Sequence, residues 1–291
     1  MKQKKQKIIA VTNQKGGVSK TTTAQALARE LAKEHRVLLI DFDGQATLTE
    51  LVDLTTHFDK AELDEYMIEN NAINIFERKK ILPLDITGTI VNNGNFETKV
   101  PIKELHFIPS PGNSLGSAAE SASGGKDMLL KKFLDKIGDE YDYVVIDSLP
   151  GVSTLFKNVL YAADVLVIPI QTKTNAMAGS NGFLELLNDV AGDYDKVYDN
   201  IFILPTMYNK GRKDDNDTYA EIRTVFLDTM NSFEHLSKIN KHLLDVIPER
   251  AVFSSAQSYR VFLQDYIEAY DSGKRDILLL IERMTKEIIK D

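Results

Sequence analysis

Residues 8–22 read IIAVTNQKGGVSKTT. A continuous apolar run, 8–11, gives way to a polar glycine-bearing turn, and hydroxyl residues then open an amphipathic stretch. That order is strand, phosphate-binding loop, helix. The common spacing of such loops, G-x-x-x-x-G-K-[ST], fails at both glycines, because its first falls on Gln14 and its second on Ser19. What remains is Lys20 followed by Thr21, with a second lysine, Lys15, ahead of the glycine pair. A phosphate loop needs inward-pointing backbone N–H groups, a helix N-terminus behind them, a lysine for the β- and γ-phosphates and a hydroxyl for magnesium. Gly16, Gly17, Val18 and Ser19 supply the backbone, Lys20 the charge and Thr21 the hydroxyl, with Thr22 and Thr23 following.

Outward from this loop, further short apolar runs recur: VLLI (37–40), LHFI (105–108), YVVI (143–146), VLVIPI (165–170), IFIL (201–204) and DVI (245–247). They are continuous rather than alternating, as strands covered on both faces of a parallel sheet are. Helical patterns separate them; in the first, Ala24, Leu27, Ala28 and Leu31 share one face, with Arg29, Glu30, Lys33 and Glu34 on others. The alternation predicts an α/β fold, a doubly wound, mostly parallel sheet with right-handed crossovers. Polar and special residues follow each strand: the glycine loop, Asp41 and Asp43, Asp147, Gln171, Pro205-Thr206 and Pro248. Ligands of such sheets bind outside the carboxyl ends of the strands, so the site is expected at that edge.

The 291 residues suit one large domain, 1–291, and no internal repeat or clean boundary divides them. Residues 1–7 form a basic arm, 82–100 read as a small hairpin around NNG, and 110–125 as a Gly/Ser-rich mobile loop. The net charge of −8 excludes a uniformly basic coat but not a local basic patch. With no cysteine, disulfides, thiolate metal sites, cysteine-held iron–sulfur clusters and cysteine nucleophiles are excluded together. No run reaches the ~18–20 apolar residues of a membrane span. The five histidines lack metal-ligand spacing.

KGGVSKTT resembles the deviant Walker A motif, K-G-G-x-x-K-[ST], of the ParA/MinD family of ATPases. The resemblance covers nearly the whole chain and leans toward ParA. DFDGQATLTEL (41–51) is similar to the family's D-x-D-x-Q motif, YDYVVIDSLPG (141–151) to its Walker B strand, and VIPERAVFSSAQSYRVFLQDY (246–266) to the stretch that closes over the base. It implies a phosphate-loop NTPase with ATP and Mg2+ as ligands. Thr21, Asp41 and Asp147 would serve the magnesium and Asp43 would position the attacking water. Lys15 would cross an ATP-sandwiched homodimer to reach the partner's phosphates. Thr206, Met207, Pro248 and Arg250 are candidates for the adenine pocket. Lone aspartates at strand ends are ordinarily turn residues; three beside a phosphate loop in family order point to the site.

Two positions depart from the family pattern. Ser19 stands where relatives have glycine, and Gly44 where D-x-D-P-Q has proline. Neither removes a functional group, and slow hydrolysis of ATP is expected.

ParA-like proteins bind DNA without sequence preference through phosphate contacts. Candidate contacts are Lys210, Arg212, Lys213, Arg223, Arg250, Arg260, Lys274 and Arg275, although Asp214, Asp215 and Asp217 crowd the first cluster. The resemblance further implies partition of a plasmid or chromosome, a ParB-type centromere-binding partner that stimulates hydrolysis, and a cytoplasmic, nucleoid-associated location. The alternatives are a MinD-like membrane-surface ATPase and a signature-lysine metabolic ligase. For the former, 275–291 is amphipathic, but its mixed charge and lack of Trp or Phe favour docking on the protein's own core.

Overall fold

The computed structural model describes residues 6–87, 101–151, 153–173 and 180–290. Among these, eight strands form one sheet: β1 (Lys7–Val11), β2 (Arg36–Phe42), β3 (Leu84–Asp85), β4 (Glu104–Ile108), β5 (Tyr143–Ser148), β6 (Val165–Gln171), β7 (Asn200–Thr206) and β8 (Asn240–Leu243). Their order is β3-β4-β2-β5-β1-β6-β7-β8, parallel throughout except where β3 meets β4. Continuous apolar strands have a direct cause here. Ile8, Ala10, Leu38, Ile40, Val144 and Ile146 face one core, and Ile9, Val11, Val37, Leu39 and Val145 face the other. Each such valine, leucine or isoleucine contributes about 1.5–3 kcal/mol of burial, so the central strands tolerate little polarity on either face.

Helices cover both faces. On one lie α1 (Lys20–Leu31), α2 (Thr47–Val52), α3 (Lys60–Glu69) and the C-terminal trio α11 (Ala251–Ser258), α12 (Leu263–Tyr270) and α13 (Arg275–Ile288). On the other lie α4 (Ile73–Phe76), α5 (Ser114–Ser121), α6 (Leu129–Ile137), α7 (Thr154–Ala162) and α8 (Ser180–Asp193). α9 (Lys213–Glu221) runs through a π-helical turn, Ile222–Phe226, into α10 (Leu227–Ser232), and Ile222, Phe226 and Met230 join that same core.

The structure departs from several sequence expectations. The eighth strand is Asn240–Leu243 rather than 245–247, which instead continues past its end alongside β7, with Leu244 N–H donating to Ile203 O and Ile247 N–H to Pro205 O. Residues 110–125 are not simply a loop: α5 forms there because Leu115 and Ala119, one turn apart, are buried against the core. Of the 82–100 hairpin, Leu84–Asp85 pairs antiparallel with β4, and 88–100 lie outside the described residues, as does most of the 1–7 arm. Arg29 and Glu30, off the apolar stripe of α1, are nonetheless buried because α12 and α13 close over that helix. The Arg29 guanidinium grips the Asp265 carboxylate through Nε–Oδ2 at 3.0 Å and Nη2–Oδ1 at 2.8 Å. Beside it, Gln25 accepts from Leu263 N–H and Gln264 donates to Ala26 O, so a buried polar seam joins α1 to the start of α12.

The apolar stripe of α13, Ile277, Leu280, Ile281, Met284 and Ile288, is buried in the core it shares with α1. Among the described residues no helix is long and apolar enough to cross a membrane.

Candidate functional site

Strand register assembles the site. β2 and β5 run parallel with Asp41 opposite Asp147, and β1 and β5 with Val11 opposite Asp147. Two carboxylates and the start of the glycine loop therefore leave the sheet side by side. The loop is tied down from three directions. Asn13 donates through Nδ2 to Pro169 O at 2.7 Å and accepts Lys15 N–H at Oδ1, fixing the turn into the glycines. Gln14 O accepts from Gly151 N–H after β5, and Thr206 Oγ1 donates to Val18 O from the end of β7. Gly16 and Gly17 are exposed, with nothing within 4 Å of where a Cβ would sit, and Gly17 adopts a left-handed φ of 72°. Ser19 is also left-handed, at φ 74° and ψ 28°, a conformation that strains any residue with a Cβ.

Lys20 opens α1 and is 7% exposed, its Nζ donating to Lys15 O at 3.0 Å. Burial lowers its pKa, and the facing carboxylates of Asp147 and Asp43 oppose that shift. Asp41 is fully buried and accepts from both the N–H and the hydroxyl of Thr49 at 2.8 and 2.7 Å. Burial pushes its carboxyl up to about 7, against those hydrogen bonds. Asp147, 1% exposed, is pushed well above the carboxylate range by burial and then by Asp41. Neither of its oxygens completes a hydrogen bond, although the Thr21 hydroxyl lies close enough to favour the charged form.

Two buried carboxylates, one with unsatisfied oxygens, beside a lysine and a threonine hydroxyl are the hard-oxygen, negatively charged surroundings that a magnesium ion matches. Asp43 lies further out on the cavity wall, its carboxylate accepting from Gln45 N–H and its carbonyl from Ser110 Oγ.

Of these groups Lys20, Thr21, Asp43 and Gln45 border a cavity of about 590 Å³, and Asp41 and Asp147 are buried outside its lining. Its polar end is Gly16, Gly17, Ser19, Lys20, Thr21 and Thr22, and its apolar end is Met207, Ile247, Pro248, Phe253, Ile281 and Met284, with Arg250 exposed at the rim. One end thus offers N–H groups and a cation, the other a hydrophobic slot, which is the division a nucleotide presents. Thr206, expected in the adenine pocket, lies 1% exposed beneath the loop instead and is not part of the lining. Val18 is likewise buried and leaves only its backbone for the site. Lys15 is half-buried at the front of the loop.

The sequence reading missed Thr49, whose spacing from Asp41 carries no recognisable signal. It also missed Phe253, Ile281, Met284 and Gln257, the last bonded to Thr22 Oγ1 at 3.1 Å across the cavity. The stretch 246–266 pointed to two of these, and the buried stripe of α13 hid the other two.

The expected basic contacts separate into two groups. Lys210, Arg212 and Lys213 are exposed around the start of α9, where Arg212 pairs with Glu249 at 2.6 Å, beside Arg250. Arg260 is exposed after α11, Lys274 and Arg275 lie at the α12–α13 turn, and Arg275 pairs with Glu268 at 3.6 Å. Arg223 rests over the Tyr219 ring. No group of histidine and acidic residues able to hold a metal stands out among the described residues by its own clustering.

Comparison with known proteins adds to this geometry. The model of the AAA_31 family, an AAA domain, matches residues 6–199. The chromosome-partitioning ATPase Soj of Thermus thermophilus is 32% identical over 219 residues, 75% of this chain and 76% of that protein. A Borrelia burgdorferi structure assigned to plasmid partition and solved with AMPPNP superposes with a TM-score of 0.63 at 25% identity, over 96% of this chain and 99% of that one. Cobyrinic acid a,c-diamide synthase of Mycobacterium smegmatis, solved with an ATP analogue and magnesium, shares the fold at 24% identity and a TM-score of 0.61, over 89% and 93% of the two chains.

Proposed function

Since the chain belongs to the AAA_31 family of ParA-type ATPases, we propose that it binds and slowly hydrolyses ATP with Mg2+ and partitions a plasmid or chromosome as an ATP-dependent DNA-binding dimer. The observation that carries the nucleotide reading is a cavity with Lys20, Thr21 and Asp43 at its polar end and an apolar far end, backed by the buried Asp41 and Asp147 side by side at the ends of β2 and β5.

In this reading the backbone of Gly16 to Ser19 surrounds the phosphates and Lys20 meets the β- and γ-phosphates with a partly desolvated ammonium, which raises the worth of each contact. Met207 and Pro248 hold the base. Thr21 and Asp147, with Asp41 behind them, hold the magnesium, and that ion would supply neutralisation of the charge that develops on the phosphates. Asp43 positions the attacking water. Lys15 leaves its own loop for the phosphates of a second copy, so the γ-phosphate selects the dimer. Lys210, Arg212, Lys213, Arg250, Arg260, Lys274 and Arg275 contact DNA phosphates, placing the protein on the nucleoid in the cytoplasm, and a ParB-type protein accelerates hydrolysis to release it. The membrane-surface alternative loses its element, since the apolar stripe of α13 is already occupied by the protein's own core.

The test is DNA and liposome co-sedimentation with ADP, ATP and a slowly hydrolysed analogue at two salt concentrations, with phosphate release measured alongside. Salt-sensitive DNA binding with ATP or the analogue supports the proposal. DNA binding indifferent to nucleotide, or no phosphate released above a Lys20→Ala control, overturns it.

A further inference from the structure

On the sheet face opposite α1 and the cavity, a second concavity of about 340 Å³ lies between α4 and α6. Its floor is apolar, made by Ile75, Leu129 and Phe133, and its rim is basic, with Arg78, Lys79, Lys132 and Lys136 against a single acid, Asp135. Asp135 is engaged by Lys131 and Lys79 by Glu77. Among the described residues neither Lys132 nor Lys136 forms an ion pair, in a chain whose net charge is −8. The end wall is held deliberately. Arg78 adopts a left-handed φ of 57° and donates to Ser123 O and Gly124 O at 2.9 and 3.1 Å. Gly124 and Gly125 are both left-handed, and a Cβ on either would come within 3.2 Å of Arg78 Nη2 or 3.4 Å of Lys132 Nζ. Glycine thus lets the loop close up to the two cations.

The complementary surface is on the same chain. α3 has no fully buried residue, and Ala61, Asp64, Glu65 and Ile68 share its outer face, with Glu69 beside them. Ile68 is 73% exposed, and among the exposed large apolar side chains it alone is bracketed on its own helix by carboxylates, Asp64, Glu65 and Glu69, with no cation between. An isoleucine ringed by acids fits an apolar floor ringed by bases. Exposure of Ile68 means that it does not fill the groove of its own chain.

We infer that α3 of one copy docks into the α4–α6 groove of a second copy, a contact that needs no nucleotide and is separate from the ATP-bridged dimer. Because helix and groove are different patches, the contact is heterologous, and each added copy presents a further helix or groove unless the arrangement closes. Charges steer and register such a contact, so salt weakens it.

The experiment is sedimentation velocity on the full chain without nucleotide or magnesium, over a concentration series at low and at about 0.5 M salt. Concentration-dependent mass above the 32.7 kDa monomer at low salt, reverting at high salt, is expected. Lys132→Glu with Lys136→Glu, and separately Asp64→Lys with Glu65→Lys, each weaken association at least tenfold. All four changes in one chain restore it, which a merely misfolded variant would not do. ATP-analogue binding stays at the parent value in every variant, since none touches the cavity. A monomer at every concentration, association indifferent to the reversals, or no restoration in the fourfold variant overturns the inference. So does loss of DNA binding without loss of association, which would assign the groove to nucleic acid.

Discussion

Replacing Arg29 by methionine tests the seam between α1 and α12. In the parent, the guanidinium and the Asp265 carboxylate are 5% and 3% exposed and share two hydrogen bonds, at 3.0 and 2.8 Å. Burial already raises the Asp265 pKa, with Arg29 holding it back. Methionine fills most of the space but leaves a carboxyl that is either charged without a partner or neutral with unsatisfied oxygens. Removing one member of a buried ion pair costs about 3–5 kcal/mol. With a urea slope of about 3 kcal/mol per M, the unfolding midpoint of Arg29→Met falls by about 1–1.7 M. Adding Asp265→Leu removes the orphaned charge and recovers most of the loss, because an apolar pair of similar volume dispenses with both desolvation penalties. Urea titration by far-UV circular dichroism measures both variants. A single variant within about 0.5 kcal/mol of the parent, or a double variant less stable than the single, would refute the reasoning.

Lys20→Ala weakens binding of a fluorescent ATP analogue about tenfold or more, the worth of one charge-assisted hydrogen bond at about 1.5–3 kcal/mol; unchanged affinity would remove Lys20 from the phosphates. Ser19→Gly relieves about 1–2 kcal/mol of left-handed strain and returns about 0.4–1 kcal/mol of chain entropy, so calorimetry should show a net gain near 0.5–1 kcal/mol. A lower melting temperature in that variant would contradict the backbone geometry at position 19. Glu120 is held in its charged form, down to about 2, by Lys126 and then by Thr154 at the start of α7. The stability it adds is present above the ordinary glutamate range and is lost as pH falls from about 4.5 toward 2. In Glu120→Gln that part of the acid sensitivity disappears, as a pH series of thermal melts would record.

The central sheet was legible because a strand covered on both faces cannot alternate, and 8–11, 37–40, 143–146 and 165–170 do not. The loop was legible because its backbone, lysine and hydroxyl are consecutive. β8 escaped because NKHL carries no apolar run: it sits at the rim, its His242 ring stacked on Phe202 and bonded to Asn200. The helix Ser114–Ser121 escaped because small residues dominate it, leaving Leu115 and Ala119 as its buried anchors. The buried pairing of Arg29 was not legible because its partner is 236 residues away. Thr206 stood at a strand end, as ligand residues do, yet its hydroxyl turned to the loop's own carbonyl.

Among the described residues, the outermost strands limit how copies of this chain meet. At one rim, β3 is only two residues long and runs against the direction of the sheet. At the other, β8 has four residues, among them Lys241, whose ammonium folds back to Ile239 O at 2.9 Å. Short borders carrying a lysine are poor templates for an incoming strand. Backbone-to-backbone growth, the route to irreversible stacking, is thereby disfavoured at these described edges, which leaves assembly to side chains, whose grip a change in salt or bound phosphate can undo.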